Sequence, residues 1–296
     1  MVYKTTGRRV FVACNAVVIA LLTVVCVLPV WTILCYSFSS SAAVSGGQVT
    51  FWPVDFTIAP YRFVMTNERF WRAFGITCYR IALGVPVTML MTVLAAYPLS
   101  KSVRAFKARK YYIVFFLIPM LFSGGLIPGY ILIYNLGLLD SIWSLILPGA
   151  VPIGNVVLLM NFFRSLPDEI EEAALIDGAG YWKVLYRIIL PLSVPSLATV
   201  CLFTLLGHWN AWFDGLLYMN RQEYYPLQSY LQTLIVDSRQ LMKLTNNLED
   251  LVARLQVSGQ NLRAAQIFIS MVPILCVYPF MQRYFTSGLV MGSVKG

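Results

Sequence analysis

Apolar residues run through this chain in long blocks set apart by short polar stretches. They do not alternate with polar residues as they would on a half-buried strand or a surface helix. The first block extends from Val10 to about Phe38 behind Lys4, Arg8 and Arg9. It is about twice as long as the apolar region of a secretory signal, so it reads as an uncleaved span. Further blocks cover about Gly75–Leu99, Tyr111–Tyr134, Ser141–Phe163, Val194–Leu217 and Ala264–Phe285. Each is long enough to cross hydrocarbon, which takes about 20 residues. The pattern predicts an all-α membrane protein with six transmembrane helices: an N-terminal segment of residues 1–9 and one transmembrane domain over 10–296. Pro119, Gly124-Gly125 and Pro128 interrupt the third block, as is tolerated where neighbours re-satisfy freed backbone groups.

The connectors are informative. Residues 164–193 hold Asp168, Glu169, Glu171, Glu172 and Asp177, the only dense run of acids. Pro167 and carboxylates in a first turn predict a helix start, and Gly178 and Gly180 are expected to supply positive-φ positions for a sharp turn. A second helix then runs from Tyr181 and is expected to stop at Pro191. Ala173 and Ala174 carry methyl groups small enough to admit another protein's backbone. Ser39–Gly47 reads as polar and flexible. The connector 218–263 is long, with Leu244, Leu248, Leu251 and Leu255 on one helical face and Asn246 and Glu249 at capping-box spacing. That helix serves either as local packing or as a docking surface for a soluble partner.

Composition agrees with the membrane reading. The chain is 58% apolar and 12% charged with mean hydropathy +0.71, against about 25% charge in soluble domains. The net charge of +9 is therefore read by position, not as a nucleic-acid signal. With the N-terminus inside, thirteen Lys/Arg fall on inner segments and eight on outer loops. The cluster Lys101, Arg104, Lys107, Arg109, Lys110 dominates the inner count. Both termini and the 164–193 segment are then cytoplasmic, and Trp31, Trp71, Trp143 and Trp212 form an outer aromatic belt. The six cysteines lie in apolar runs without metal or redox spacing and read as small buried hydrophobes.

No phosphate-cradling Gly-x4-Gly-Lys-Ser/Thr occurs, and no nucleophile–base pair can be placed. Arg80, His208 and Asp214 lie near outer span ends, so a buried proton relay is not indicated. The energy for any transport must come from another protein. The densest polar and aromatic group is in the fifth span. Thr204, His208 and Trp212 stand at i, i+4 and i+8, and Trp209 and Asn210 lie beside them. Aromatic faces next to amide and imidazole donors suit sugars. The competing reading makes His208 and Asn210 interhelical glue and Trp212 part of the belt.

Glu172-Ala173-Ala174, three residues, Gly178, then Ile188-Ile189-Leu190-Pro191 resembles the cytoplasmic coupling loop of ABC importer permeases. Ala95-Ala96-Tyr97-Pro98-Leu99-Ser100-Lys101, Gly137-Leu138-Leu139-Asp140, His208-Trp209-Asn210 and the terminal Gly288–Gly296 resemble the carbohydrate branch, the maltose-type six-span subunit and its oligosaccharide subgroup. Pro98 stands where Ala is commoner in that family, and a kink at the exit of span two is expected.

The resemblance implies a type I ABC importer permease fold with a cytoplasmic coupling helix, multi-pass in a bacterial plasma (inner) membrane. It implies a second permease subunit in a heterodimer, two ATPase subunits that carry ATP and Mg2+, and a periplasmic or lipid-anchored substrate-binding protein. No cofactor or metal belongs to this chain. By this resemblance Glu172, Ala173, Ala174, Asp177, Gly178, Leu190 and Pro191 couple to the ATPase. On the reading of span five above, Thr204, His208, Trp209, Asn210 and Trp212 are the residues expected to line a substrate pathway, and by the resemblance Gly292, Ser293 and Lys295 reach the ATPase pair. An acidic oligosaccharide falls within the subgroup, although the basic residues of the outer loops are offset by acids. Two alternatives stay open at this point. An importer for amino acids or phosphate shares the coupling loop but not His208-Trp209-Asn210. An integral-membrane scaffold or enzyme would differ in class, and turnover by the isolated chain would mark it.

Overall fold

A computed structural model describes residues 6–234 and 259–293, and all regular structure among the described residues is helical. The chain forms two compact units, Met1–Glu68 with Thr233–Val272 and Arg69–Gln232 with Pro273–Gly296.

In the first unit, α1 (Thr6–Ser37) is apolar all round and about 48 Å long at 1.5 Å per residue. Its side chains are exposed from Thr6 to Leu28, so its surroundings must be lipid or another chain. Only its end is packed. Cys35 joins Ala43, Val44 and Val49 in a small core, and the Trp31 indole donates to the Phe51 carbonyl at 2.8 Å. The stretch expected to be flexible instead holds α2 (Ser41–Ser45), because the Ser40 hydroxyl caps it by accepting from the Ala43 amide at 3.2 Å and two apolar side chains turn inward. Helix α3 (Ala59–Thr66) brings the Tyr61 hydroxyl 2.7 Å from Ser37 Oγ, and Asn261 Nδ2 donates to the Ser39 carbonyl at 3.1 Å.

The second unit is built on α4 (Glu68–Ser100), which starts before Gly75 because Glu68 supplies an acid to its first turn. Its buried face reads Thr77, Arg80, Gly84, Thr88, Thr92, Ala96, a polar and small stripe at steps of three or four, while Tyr79, Leu90 and Met91 face outward. That inversion is what a bilayer demands, since polar groups are placed away from hydrocarbon. Helix α4 continues through Pro98, ending two residues on, where the missing N–H leaves the Leu94 carbonyl without its helical donor.

Next come α5 (Arg109–Leu121) and α6 (Leu126–Asn135), bent by 113° across residues 122–125. Of the interruptions legible in the sequence, the glycines make this break: Gly125 has φ +90°, whereas Pro119 and Pro128 sit inside helices. Helices α7 (Ile142–Ile146) and α8 (Ile153–Ser165) follow, then α9 (Asp168–Ile176) and α10 (Tyr181–Val184). A π-turn (Leu185–Ile189) leads into α11 (Leu190–Leu192), and α12 (Val194–Asn210) and α13 (Phe213–Tyr218) complete the series.

Three long apolar helices and three bent helix pairs make up to six crossings if each pair counts once. Pro191 does not stop the helix. The chain turns by 84° after α11, at Ser193, whose amide reaches the Ile189 and Leu190 carbonyls at 3.0 and 3.1 Å. The fifth block is likewise broken at Ala211–Trp212, so α12 stops before Leu217. The last helix, Gln260–Ser293, exceeds the expected span at both ends.

Ala96, Leu99, Val156, Leu159, Phe163, Val184, Leu185, Ile189 and Val200 form the main core, joining α4, α8, α10, the π-turn and α12. Of the cysteines only Cys35 is buried; Cys14, Cys26, Cys78 and Cys276 are exposed, because apolar faces here look outward. Trp31, Trp71, Trp143 and Trp212 are alike in exposure, between 36% and 41%, as half-immersed anchors would be.

Candidate functional site

Helix α9 ends in a Schellman motif. Ala179 N–H reaches the Ala174 carbonyl and Gly178 N–H the Leu175 carbonyl, both at 3.0 Å, with Gly178 at φ +79°. Gly180 has φ −74°, so it is not the second positive-φ position that the sequence suggested; its carbonyl accepts from the Val184 amide at 3.1 Å and starts α10 from extended backbone.

The closure sorts the side chains of α9. Glu169, Glu172, Ala173 and Ile176 are exposed at helical spacing, with Ile176 85% exposed, while Ala174 and Leu175 pack on the main core. The two alanines therefore differ: Ala173 faces outward and Ala174 is scaffold. Asp177 and Gly178 are exposed at the turn, and Leu190 is half-buried against the core.

Glu171 fixes this helix to the end of α4. Its carboxylate is ion-paired with Lys101 and accepts from the Tyr97 hydroxyl at 3.3 Å, and the Lys101 ammonium sits 4.2 Å from the Tyr97 ring centroid. Arg109 and Arg164 both donate to the Leu99 carbonyl, closing the end of α4 (2.9 and 3.2 Å). Sequence reasoning missed Glu171, Lys101, Tyr97 and Ile176. An apolar Ile on the line Glu169-Glu172-Ala173 was the one available signal; the Lys101–Glu171 pair spans 70 positions and left none.

At the far end of α4 lies a second group. Arg80 is 3% exposed and donates to Asp214 through both terminal nitrogens, to the Leu145 carbonyl at 3.0 Å and to His208 Nδ1 at 3.3 Å. With Nδ1 accepting, the ring proton sits on Nε2, which donates to Thr88 Oγ1 at 3.4 Å. Thr204 accepts from Asn155 Nδ2 at 3.3 Å, and Trp209 meets Phe74 edge to face at 6.0 Å. Thr204, His208 and Trp209 are thus packed inside the unit, whereas Asn210 and Trp212 are exposed. Trp212 does not share a helix face with the other two because α12 ends at Asn210.

Helices α4 and α12 approach closely where Gly84 faces the His208 ring. A methyl group there would lie 2.7 Å from Nε2 and 2.8 Å from Cε1. Gly84→Ala is expected to lower stability by about 1–3 kcal/mol, read as a lower thermal midpoint of the purified protein in detergent. An unchanged midpoint would contradict this close approach.

Gly137 (φ +65°) and Asp140 (φ +58°) shape the turn between α6 and α7. The Asp140 carboxylate accepts from the Asn220 amide at 2.6 Å and from its side chain at 3.0 Å. The Asn220 side chain above all, and its backbone, hold the Asp140 carboxyl below the usual carboxylate range. This clasp contributes stability that is full above the unfolded Asp pKa, about 3.9, and is lost as pH falls through the lower folded value. Acidification from neutral pH to below that range should lower the midpoint of the wild type more than that of Asp140→Asn.

The leucine-faced stretch 244–255 and Lys295 lie outside the described residues; Gly292 and Ser293 belong to the last helix.

Residues 67–291 match the family described as binding-protein-dependent transport system inner membrane component. Protein LplC of Bacillus subtilis is 38% identical over 99% of this chain and 98% of its own length. The polygalacturonan/rhamnogalacturonan transport system permease protein YtcP of the same organism is 33% identical, covering 92% and 93%. A crystal structure of a bacterial ABC transporter involved in import of the acidic polysaccharide alginate contains a chain superposing with TM-score 0.83 at 31% identity, over 96% of this chain and all of that one.

Proposed function

The chain belongs to the binding-protein-dependent transport system inner membrane component family, and from that premise we propose that it is the permease subunit through which an ABC importer moves an oligosaccharide, an acidic one by preference, into the cytoplasm. The reading is carried by α9: an exposed face of Glu169, Glu172, Ala173 and Ile176, held to a membrane-spanning helix through Glu171, Lys101 and Tyr97. A surface apolar side chain beside methyl-sized and acidic neighbours suits a protein groove. The rigid link lets motion of the docked partner pass into α4.

The partner set is two ATPase subunits, which bind ATP and Mg2+, a second permease chain and a substrate-binding protein outside. Both termini and α9 face the cytoplasm, following the basic cluster after α4. The exposed Asn210, which ends α12, and Trp212, in the break just after it, support a pathway at that end of the helix, covered by the second permease chain. The acidic preference follows relatives and structural neighbours whose names specify polygalacturonan, rhamnogalacturonan and alginate.

The test is uptake by the reconstituted complex with its binding protein. Oligogalacturonide should be taken up and should stimulate ATP hydrolysis, while neutral maltodextrin should do neither. The reverse preference would overturn the acidic assignment and leave the permease role standing. Replacing residues 243–257 by a Gly/Ser linker, which spares the packed Gly259, should keep basal ATP hydrolysis and remove its stimulation by loaded binding protein. Retained stimulation and uptake would make that stretch packing alone.

A further inference from the structure

The last turns of α4, the basic stretch after it and the start of α10 enclose a cavity of about 370 Å³. Leu94, Tyr97, Pro98, Phe106, Trp182 and Leu185 line it, and its walls are almost wholly hydrocarbon and ring faces. Lys101 is its one charged lining residue, already paired with Glu171. The flanks are cationic. Arg104 and Lys107 bracket the lining residues Ala105 and Phe106, and Lys183 follows Trp182. All three are exposed and carry no ion pair among the described residues. Trp182 is 69% exposed and Tyr181 51%, the half-immersed aromatic pattern of a membrane–water boundary.

We propose that this cavity is a binding site for one anionic phospholipid, with an acyl chain lying along Leu94, Pro98 and Leu185 and the phosphate held by Arg104 and Lys107. An apolar slot lined by Lys101, with the exposed cations Arg104, Lys107 and Lys183 next to its lining residues in the chain, is complementary to an amphiphile with a hydrocarbon tail and a negative head, and basic pockets at the cytoplasmic ends of membrane helices hold such headgroups. A lipid can reach the slot because α4, which forms one wall, is itself a membrane-spanning helix. The same wall carries Tyr97 and Lys101, which hold Glu171 of α9. A seated lipid therefore braces the joint between α4 and α9 from its open side. A protein surface that seals the slot is the competing occupant, and the experiment separates the two.

The test uses the complete permease–ATPase complex, purified in mild detergent, given equal phosphatidylglycerol and phosphatidylcholine and read by native mass spectrometry. Wild type should retain phosphatidylglycerol over phosphatidylcholine by about fivefold or more. Arg104→Gln with Lys107→Gln, both exposed and so neutral for folding, should bring the two lipids within about twofold of each other. Leu94→Trp, which fills the slot, should lower retention of both. Equal retention by wild type, an unchanged preference in the charge variant, or full phosphatidylglycerol retention by Leu94→Trp would each overturn the proposal. So would retention by the permease chains alone that disappears when the ATPase subunits are added, because a protein surface would then be the occupant.

Discussion

Glu172→Lys is expected to reduce ATP-driven uptake to background while the permease still inserts and assembles with its second chain. Glu172 is on the exposed face of α9, in contact with neither the main core nor the Lys101–Glu171–Tyr97 joint, so lysine there costs the fold little. It reverses a charge in the middle of the exposed face of α9 and presents a cation to whatever groove receives Glu172. Gly178→Glu should act alike through a different cause. No atom lies within 4 Å of a Cβ placed on Gly178, so crowding at the backbone is not the issue; the φ of +79° is. Holding an L-residue there costs about 1–2 kcal/mol, enough to shift the Schellman closure that aims Ile176. The measurement is recovery of the ATPase subunit with tagged permease, alongside uptake. Recovery and uptake both at wild-type levels would remove α9 from the coupling role.

Arg80→Leu should be the most damaging single substitution in the second unit, lowering stability by about 3–5 kcal/mol and with it the yield of folded permease. The loss is not that of a favourable ion pair in the ordinary sense. Two desolvated charges gain little over a well-packed apolar pair, but removing one leaves the Asp214 carboxylate without its bidentate partner, and the His208 ring and the Leu145 carbonyl without donors. The control is Arg80→Leu combined with Asp214→Leu, which should recover much of the lost midpoint. If the single and double variants melt together, the pair does not carry this joint. Asp214→Asn should fall between, because the amide oxygen can still accept from the guanidinium.

Transport phenotypes of the two sets should also differ. The α9 variants should be inserted and inactive. The Arg80 variants should be scarce, with normal turnover per folded complex.

Much of this molecule was legible before any fold was known, and physical rules explain which parts. Hydrocarbon requires about 20 apolar residues per crossing, so the blocks alone located the long helices, closely for α1 but short of the start of α4 and of both ends of the last helix. The turn after α9 was equally readable, because only glycine sits comfortably at φ +79° and Gly178 follows an acid-led helical stretch. Local rules fared worse where a second neighbour intervened. Pro191 reads as a stop, yet the helix passes it and turns at Ser193, where two carbonyls share one amide. Thr204, His208 and Trp212 read as one face, yet the backbone leaves the helix at Asn210. Gly180 reads as a second left-handed position, yet only one was needed.

What the sequence determined by itself was the class of solvent, the helical class of the fold and the acid-led start and glycine turn of α9, because these depend on composition over a window and on residues next to one another in the chain. What only the tertiary structure decided was which polar groups meet. Arg80 finds Asp214 across 134 positions and Lys101 finds Glu171 across 70. The two alanines of α9, Ala173 and Ala174, identical in the sequence, divide into one surface residue and one scaffold residue. A charge in a low-dielectric interior must have a partner, but pattern rules at a spacing of three, four or seven cannot say which one. That choice is made by packing, when the polar stripe of α4 turns away from lipid and the elements that can satisfy it close around its two ends.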